Sequence, residues 1–543
     1  MTKQTDDNTC ATTLRRVQPL RFRNCASLAQ QHQDGQGFPR TSCRPSRPPW
    51  SAQSTTTIRP IPPTADAFAY ALRYAGSALV VSKPMDDADK TVIEYEQGTV
   101  AVRNIPPDSP PPPTGGLEDP RDGSLRYQAF AYPELLRWVV RAKIPYEDRA
   151  RAYEELDLQR QICNEPFPYQ KEAIDAWLKN RRAGIVILPT GAGKSYLAVL
   201  AIENAKRSTL VVVPTLDLVS QWYDVIKRAF DIDVGVVGGG EYTLRGVTVT
   251  TYDSALLYAE RFGPRFGLVV YDECHHLPGE SYLFTARASI APFRLGLTAT
   301  LERTDGRHAL LDDLVGPIVY RREIPELSGQ YLADYETITL RVELDEVERE
   351  QYDIERAIYT SFVRSRGISF DSPDGWRMFV IESSRSQEGR RAFRAYRRQN
   401  ELALGASGKL RALHGLMHQH RTERMLVFTQ DNATAYAISR KFLVPVITHH
   451  TKQSERSAIL AGLRKGTYGV VVTSKVLNEG VDVPEANVAV VLSGSGSVRE
   501  HVQRLGRILR RAEGKQATMY EIISACTAEE QISQRRREHG AYR

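Results

Sequence analysis

The stretch "GIVILPTGAGKSYLAVLAI", residues 184–202, decides the fold class. An apolar run of strand length enters a glycine-rich turn, and a helix-forming run leaves it. Gly191 and Gly193 free the backbone to curl its N–H groups around phosphate oxygens, and the helix start adds the positive end of its dipole. Lys194 can reach β- and γ-phosphates, the Ser195 hydroxyl can ligate Mg²⁺, and Thr190 and Ala192 complete the loop. Leu188 stands where the longer phosphate-loop pattern has its first glycine, so the element is the shortened Pro189-Thr190-Gly191-Ala192-Gly193-Lys194-Ser195 form.

Around this stretch, β-rich runs alternate with helical ones: "TLVVVP", "VTVTTY", "GLVVYDE" and "RLGLTAT". The rhythm returns after residue 424 with "RMLVFT", "VPVITH", "YGVVVTS", "NVAVVLSG" and "ATMYEII". It is the pattern of parallel sheets covered by helices, and it implies two α/β domains. They are expected at residues 151–330 and 331–543, with highly charged helices inserted at about 345–400. Charge alone leaves open whether those helices are a solvated linker. Residues 88–150 read as a small α+β module, with a hairpin at Gln97-Gly98 and a strand leading into an amphipathic helix. Tyr127, Phe130, Tyr132 and Trp138 are read there as core aromatics. Residues 1–87 read as a disordered basic tail.

The chain has 543 residues and a net charge of +7, which permits a polyanionic partner. Its six cysteines form no CxxC pair, which argues for a reducing, cytoplasmic setting. No apolar run reaches the roughly 20 residues of a membrane span.

"LVVYDECHH", residues 268–276, places a carboxylate pair at the end of a second buried strand. Asp272 is expected to hold the Mg²⁺ that Ser195 also meets, and Glu273 to orient and deprotonate the attacking water. A zinc site at Cys274, His275 and His276 is the competing reading. Contiguous ligands on a strand end point to opposite sides, which weighs against it.

Taken in order, the segments resemble superfamily 2 helicases, which pair two RecA-like domains. The resemblance makes Gln170 of "FPYQKEAI" the adenine-reading residue, and Thr298 and Thr300 of "LGLTAT" the coupling element. Gln503, Arg507 and Arg510 of "HVQRLGRILRR" match a catalytic glutamine and two arginine fingers, and Asp482 matches a ribose contact. Thr215, Thr251, Thr429, Thr473 and Ser474 supply hydroxyls that can bond phosphates without reading bases. Longer phrases such as "DECHHLPGESY", "SIAPFRLGLTATLERTDGRH" and "LNEGVDVPEANVAVVLSGSGSVREHVQRLGRILRR" resemble the XPB family. That likeness implies an ATP- and Mg²⁺-dependent 3′→5′ DNA helicase or translocase in repair or transcription, acting on single-stranded or forked DNA. It also implies a thumb at the charged insertion, a damage-recognition module at 88–150 and, for microbial members, a nuclease partner. Preference for DNA over RNA comes from the resemblance alone.

Arg303 falls in the family's Arg-Glu-Asp element, which reads Arg303-Thr304-Asp305 here. Loss of that carboxylate favours an alternative, an ATP-switched double-stranded DNA clamp or translocase that hardly separates strands. A restriction-system motor subunit is the third reading.

Overall fold

The computed structural model describes residues 90–161, 164–301, 305–370, 372, 374–474, 486–492, 498–509 and 516–537. The expected N-terminal tail lies outside them. Strands Thr91–Glu96 and Thr99–Arg103 pair antiparallel about Gln97 and Gly98, both with positive φ (48° and 83°). That turn matches the right-handed twist of the two strands. They belong to a five-stranded sheet, on which the helix Tyr132–Arg141 packs Tyr132, Leu135 and Val139. Tyr127 and Tyr132 are core residues as expected, whereas Trp138 is half-buried and donates its indole N–H to Pro110 O at 3.2 Å.

The first α/β sheet has eight strands, seven of them parallel, with the short edge strand Glu241–Thr243 antiparallel. At its centre Leu268–Asp272 is buried along its whole length. A strand covered on both faces must be apolar throughout, which is why it reads as a continuous hydrophobic run. It pairs with Thr209–Val213 on one side and Phe293–Thr298 on the other, and Phe293–Thr298 pairs in turn with Ala183–Ile187. Parallel pairing brings Ile187, Asp272 and Thr298 to one edge of the sheet.

The second sheet has six described strands, all parallel, starting from Asp334–Val342 at one edge. One buried apolar cluster runs from the first sheet through Ile324, Leu327, Leu332 and Ala333 into the second.

The charged insertion folds as helices Glu346–Ser365, Gly375–Arg385 and Gln387–Leu404. Phe362, Phe379 and Ala392 form a small core of their own, with Tyr359, Phe393 and Tyr396 packed against it. The solvated-linker reading therefore fails. Arg390, Arg391, Arg394, Arg397 and Arg398 sit on the exposed arc of a helix whose other face buries Ala392, Ala395, Gln399 and Ala403. Helical spacing alone separates these two faces.

Phe379→Ala is expected to destabilise this helical unit by about 3–5 kcal/mol. Limited proteolysis should then cut within residues 346–404 well before either α/β domain is attacked.

Candidate nucleotide site between two α/β domains

Leu188 is fully buried, and its N–H donates to Thr298 O at 3.0 Å. It continues the strand pairing by one residue, which accounts for a leucine where the longer pattern has glycine. The loop then turns through Gly191 (φ 91°) and Gly193 (φ 73°), and Gly193 caps the helix Lys194–Ala205. A Cβ on Gly193 would lie 2.6 Å from Gln170 Nε2, and its left-handed φ already favours glycine there. The Lys194 ammonium donates to Leu188 O at 3.1 Å and to Pro189 O at 3.5 Å, holding it inside the loop.

Gln170 lies against this loop. Its Nε2 donates to Ala192 O at 3.2 Å, and its Oε1 accepts the Phe167 N–H at 3.0 Å. Tyr169 donates to the same Ala192 carbonyl at 2.9 Å. The carboxamide thus braces the phosphate loop from the side and caps its own helix.

Asp272 is 7% exposed. Its Oδ2 accepts the Trp222 indole N–H at 2.9 Å, and its Oδ1 accepts the Glu273 N–H at 3.0 Å. Burial, then the neighbouring Glu273 charge, push its carboxyl up to about 6, while Lys194 opposes the rise. A buried carboxylate so short of positive charge suits a hard divalent cation, and the Ser195 hydroxyl on the adjacent helix start adds a second oxygen donor. Asp272 and Ser195 therefore fit Mg²⁺.

Glu273 adopts φ 47°, a left-handed conformation that turns the chain sharply after the strand. Thr298 Oγ1 lies 3.2 Å from Glu273 Oε2 and 3.1 Å from His275 Nδ1. The same Oγ1 is 2.9 Å from the Thr300 carbonyl and accepts the Thr300 N–H at 3.2 Å. The Thr298 hydroxyl has one proton to give, with the Glu273 carboxylate and the Thr300 carbonyl within reach, and His275 Nδ1 accepts or donates according to its tautomer.

The zinc reading does not survive this geometry. Cys274 is buried in the hydrophobic core with Gly296 behind its Sγ, and burial pushes its thiol far up. His275 turns instead to Thr298, and His276 is half-buried with its ring against Tyr252. The two imidazoles pack ring to ring at 4.4 Å, but among the described residues no group of three His, Cys, Asp or Glu side chains is placed to hold a metal.

The second domain brings the helix Val498–Gly506 against the loop. A Cβ on Gly506 would lie 2.3 Å from Thr190 Cβ. Gln503 is buried, and Arg507 follows half-buried just after the helix. Arg504 is fully buried, 3.3 Å from Glu500 and with its guanidinium over the Phe428 ring, so it fastens the helix to its own sheet. Arg510, Asp482 and Arg303 lie outside the described residues.

Thr215 and Thr251 cap the helices Leu216–Phe230 and Tyr252–Leu257, accepting N–H groups from Leu218 (3.4 Å) and Ser254 (3.2 Å). Thr429 and Thr473 are fully buried, and their hydroxyls donate to Asp431 O (2.9 Å) and Ser474 O (3.0 Å). Ser474 is also buried, its N–H donating to Ile447 O at 3.2 Å. Sequence reasoning missed Trp222, Gly506 and the ion pair of Asp217 with Arg456 that crosses between the domains. Each acts through a neighbour distant in sequence, and no local signal marks it.

Two parallel-sheet domains, a phosphate loop on the first and a helix end of the second set against that loop define a tandem RecA-like nucleotide hydrolase. Three family models match: the XPB damage recognition domain over residues 93–150, the type III restriction enzyme res subunit over 164–303, and the ERCC3/RAD25/XPB C-terminal helicase over 387–540. The chain is 42% identical to the DNA 3'-5' translocase XPB2 of Sulfurisphaera tokodaii, over 76% of this chain and 93% of that protein. It is 30% identical to the DNA 3'-5' helicase XPB of Kineococcus radiotolerans, over 68% of this chain and 61% of that protein. The same named helicase of Mycobacterium tuberculosis matches at 30% over 66% of this chain and 60% of that protein. The chain belongs to the XPB family of superfamily 2 helicases. The restriction-subunit match stays within the first α/β domain.

Gly506→Val should hold the second-domain helix off Thr190. ATP turnover is expected to fall about a hundredfold, the cost of displacing a catalytic group by about 1 Å. Binding of a fluorescent ATP analogue should change little.

Proposed function

We propose that the protein is an ATP-dependent DNA motor that moves 3′→5′ along DNA. The observation that carries this reading is the approach of Gly506 to Thr190, which sets the Gln503–Arg507 segment of one domain against the phosphate loop of the other. Residues 151–330 form the nucleotide-binding domain, and residues 331–543, with the thumb, form the domain that closes on it.

ATP lies with its phosphates along the Gly191–Ser195 backbone, and Lys194 leaves its loop carbonyls for the phosphate charge. Asp272 and Ser195 would hold Mg²⁺, which when bound would neutralise charge on the phosphate oxygens. Glu273 takes the proton of the attacking water. Arg507, with Arg510, meets the charge that develops on the transferring phosphoryl group, so hydrolysis waits for the domains to close. Loss of the γ-phosphate and its attacking water from beside Glu273 shifts the Thr298 proton, and the domains part. Helix starts at Thr215 and Thr251 hold the DNA backbone on the first domain. The module at 88–150 is the DNA-recognition appendage, and a nuclease that cuts the exposed strand is the partner that co-purification would reveal. Translocation without strand separation is the second reading, favoured by the printed name of the Sulfurisphaera tokodaii relative, a translocase.

The test is steady-state ATP hydrolysis without nucleic acid, then with single-stranded DNA, forked duplex or RNA. DNA is expected to stimulate turnover strongly, and Glu273→Gln should bind ATP yet hydrolyse none. Arg507→Ala should lower kcat by about a thousandfold or more while ATP binding persists. Hydrolysis indifferent to every nucleic acid would overturn the motor reading.

A further inference from the structure

Lys409 is fully buried at the start of the helix Ser407–Gln419, away from the phosphate loop. Its ammonium donates to both carboxylate oxygens of Glu529 (2.8 and 2.6 Å) and to the carbonyl of Leu492 (2.8 Å). Glu529 is 4% exposed, and its Oε2 also accepts the Ser524 N–H at 2.9 Å. The pair ties together four elements of the second domain: the helix Ser407–Gln419, the end of the strand Gln516–Ser524, the first turn of the helix Ala528–Arg537, and the end of the strand Val488–Val491.

A buried ion pair is a poor source of net stability, because desolvation of two charges offsets most of their attraction. A well-packed apolar pair would hold the same four elements together. What an apolar pair cannot do is fix the direction of a carbonyl. Leu492 is the residue at which the chain leaves its strand toward the helix Val498–Gly506. Its N–H is held by Phe428 O at 3.0 Å, and Lys409 holds the carbonyl of the peptide group that follows. The helix that carries Glu529 also packs directly on Val498–Gly506. Both the departure point and the rear support of the arginine helix therefore pass through one ammonium group.

We propose that Lys409, through Glu529 and the Leu492 carbonyl, is a positioning residue that sets Gln503 and Arg507 at the phosphate loop. It touches no reacting atom. The inference rests on the reading of Arg507 as the transition-state arginine.

Lys409→Met alone would strand a buried carboxylate and risk unfolding, so the informative variant is Lys409→Met with Glu529→Met, which removes both charges at similar volume. In the full chain with saturating DNA, kcat for ATP is expected to fall about a hundredfold. Affinity for a fluorescent ATP analogue and the far-UV circular dichroism should stay at the parent values. The decisive readout is a double-mutant cycle with Arg507→Ala. If Lys409 works through the arginine, the Met pair lowers kcat no further in the Arg507→Ala background. Losses that multiply would overturn the proposal, as would a Met-pair variant with the parent kcat. If Arg507→Ala by itself leaves kcat unchanged, the arginine reading fails first, and the cycle reports that failure separately.

Discussion

Parallel hydrogen bonding of the strand Leu268–Asp272 between its two neighbours is the constraint from which the nucleotide site follows. Parallel strands end on a common edge, so whatever follows each strand is delivered to the same place. Here those followers are the phosphate loop after Ile187, Glu273 after Asp272, and Ala299-Thr300 after Thr298. Three segments far apart in sequence are therefore neighbours before any ligand arrives. The cost is that Asp272 ends in an apolar, largely dry position, held by an indole and a backbone N–H.

That dry position gives the site its electrostatic character. A carboxyl pushed up to about 6 beside a second carboxylate is an arrangement that favours cation capture. Lys194 supplies only part of the compensation, because its ammonium is shared with two loop carbonyls. The second domain meets the same edge with a glycine, so close approach of Gly506 to Thr190 needs no side chain to move. The two domains thus meet at the edge that carries the phosphate loop.

Buried polar side chains recur where irregular segments must be aimed. Arg294, 6% exposed, donates to the carbonyls of Ala286, Ser289, Ala291 and Leu314, drawing two loops onto the start of the strand Phe293–Thr298. Lys409 does the equivalent in the second domain at Leu492. Arg294 reaches carbonyls at two helix ends and in the loop after the first of them, and Lys409 reaches one just past a strand end, all groups without a regular-structure partner that would otherwise be buried without one.

The fold class, the two-domain rhythm, the phosphate loop and the Asp272-Glu273 pair were legible in the sequence because each depends on neighbours within a few residues. A buried parallel strand must be apolar, and a phosphate loop must have glycines at fixed offsets. The hairpin at Gln97-Gly98 was legible for the same reason. Other features depended on pairs separated by tens to hundreds of positions. Trp222 on Asp272, Gly506 on Thr190 and Lys409 on Glu529 are products of packing, and a single sequence carries no periodicity that would announce them. Thr429 and Thr473 lie in recognisable motifs, but that they are buried with their hydroxyls on backbone carbonyls is visible only in the fold. Local pattern specifies which backbone a segment adopts. Which side chains face one another, and which still have a free hydrogen-bonding atom, is decided only when the sheets close around them.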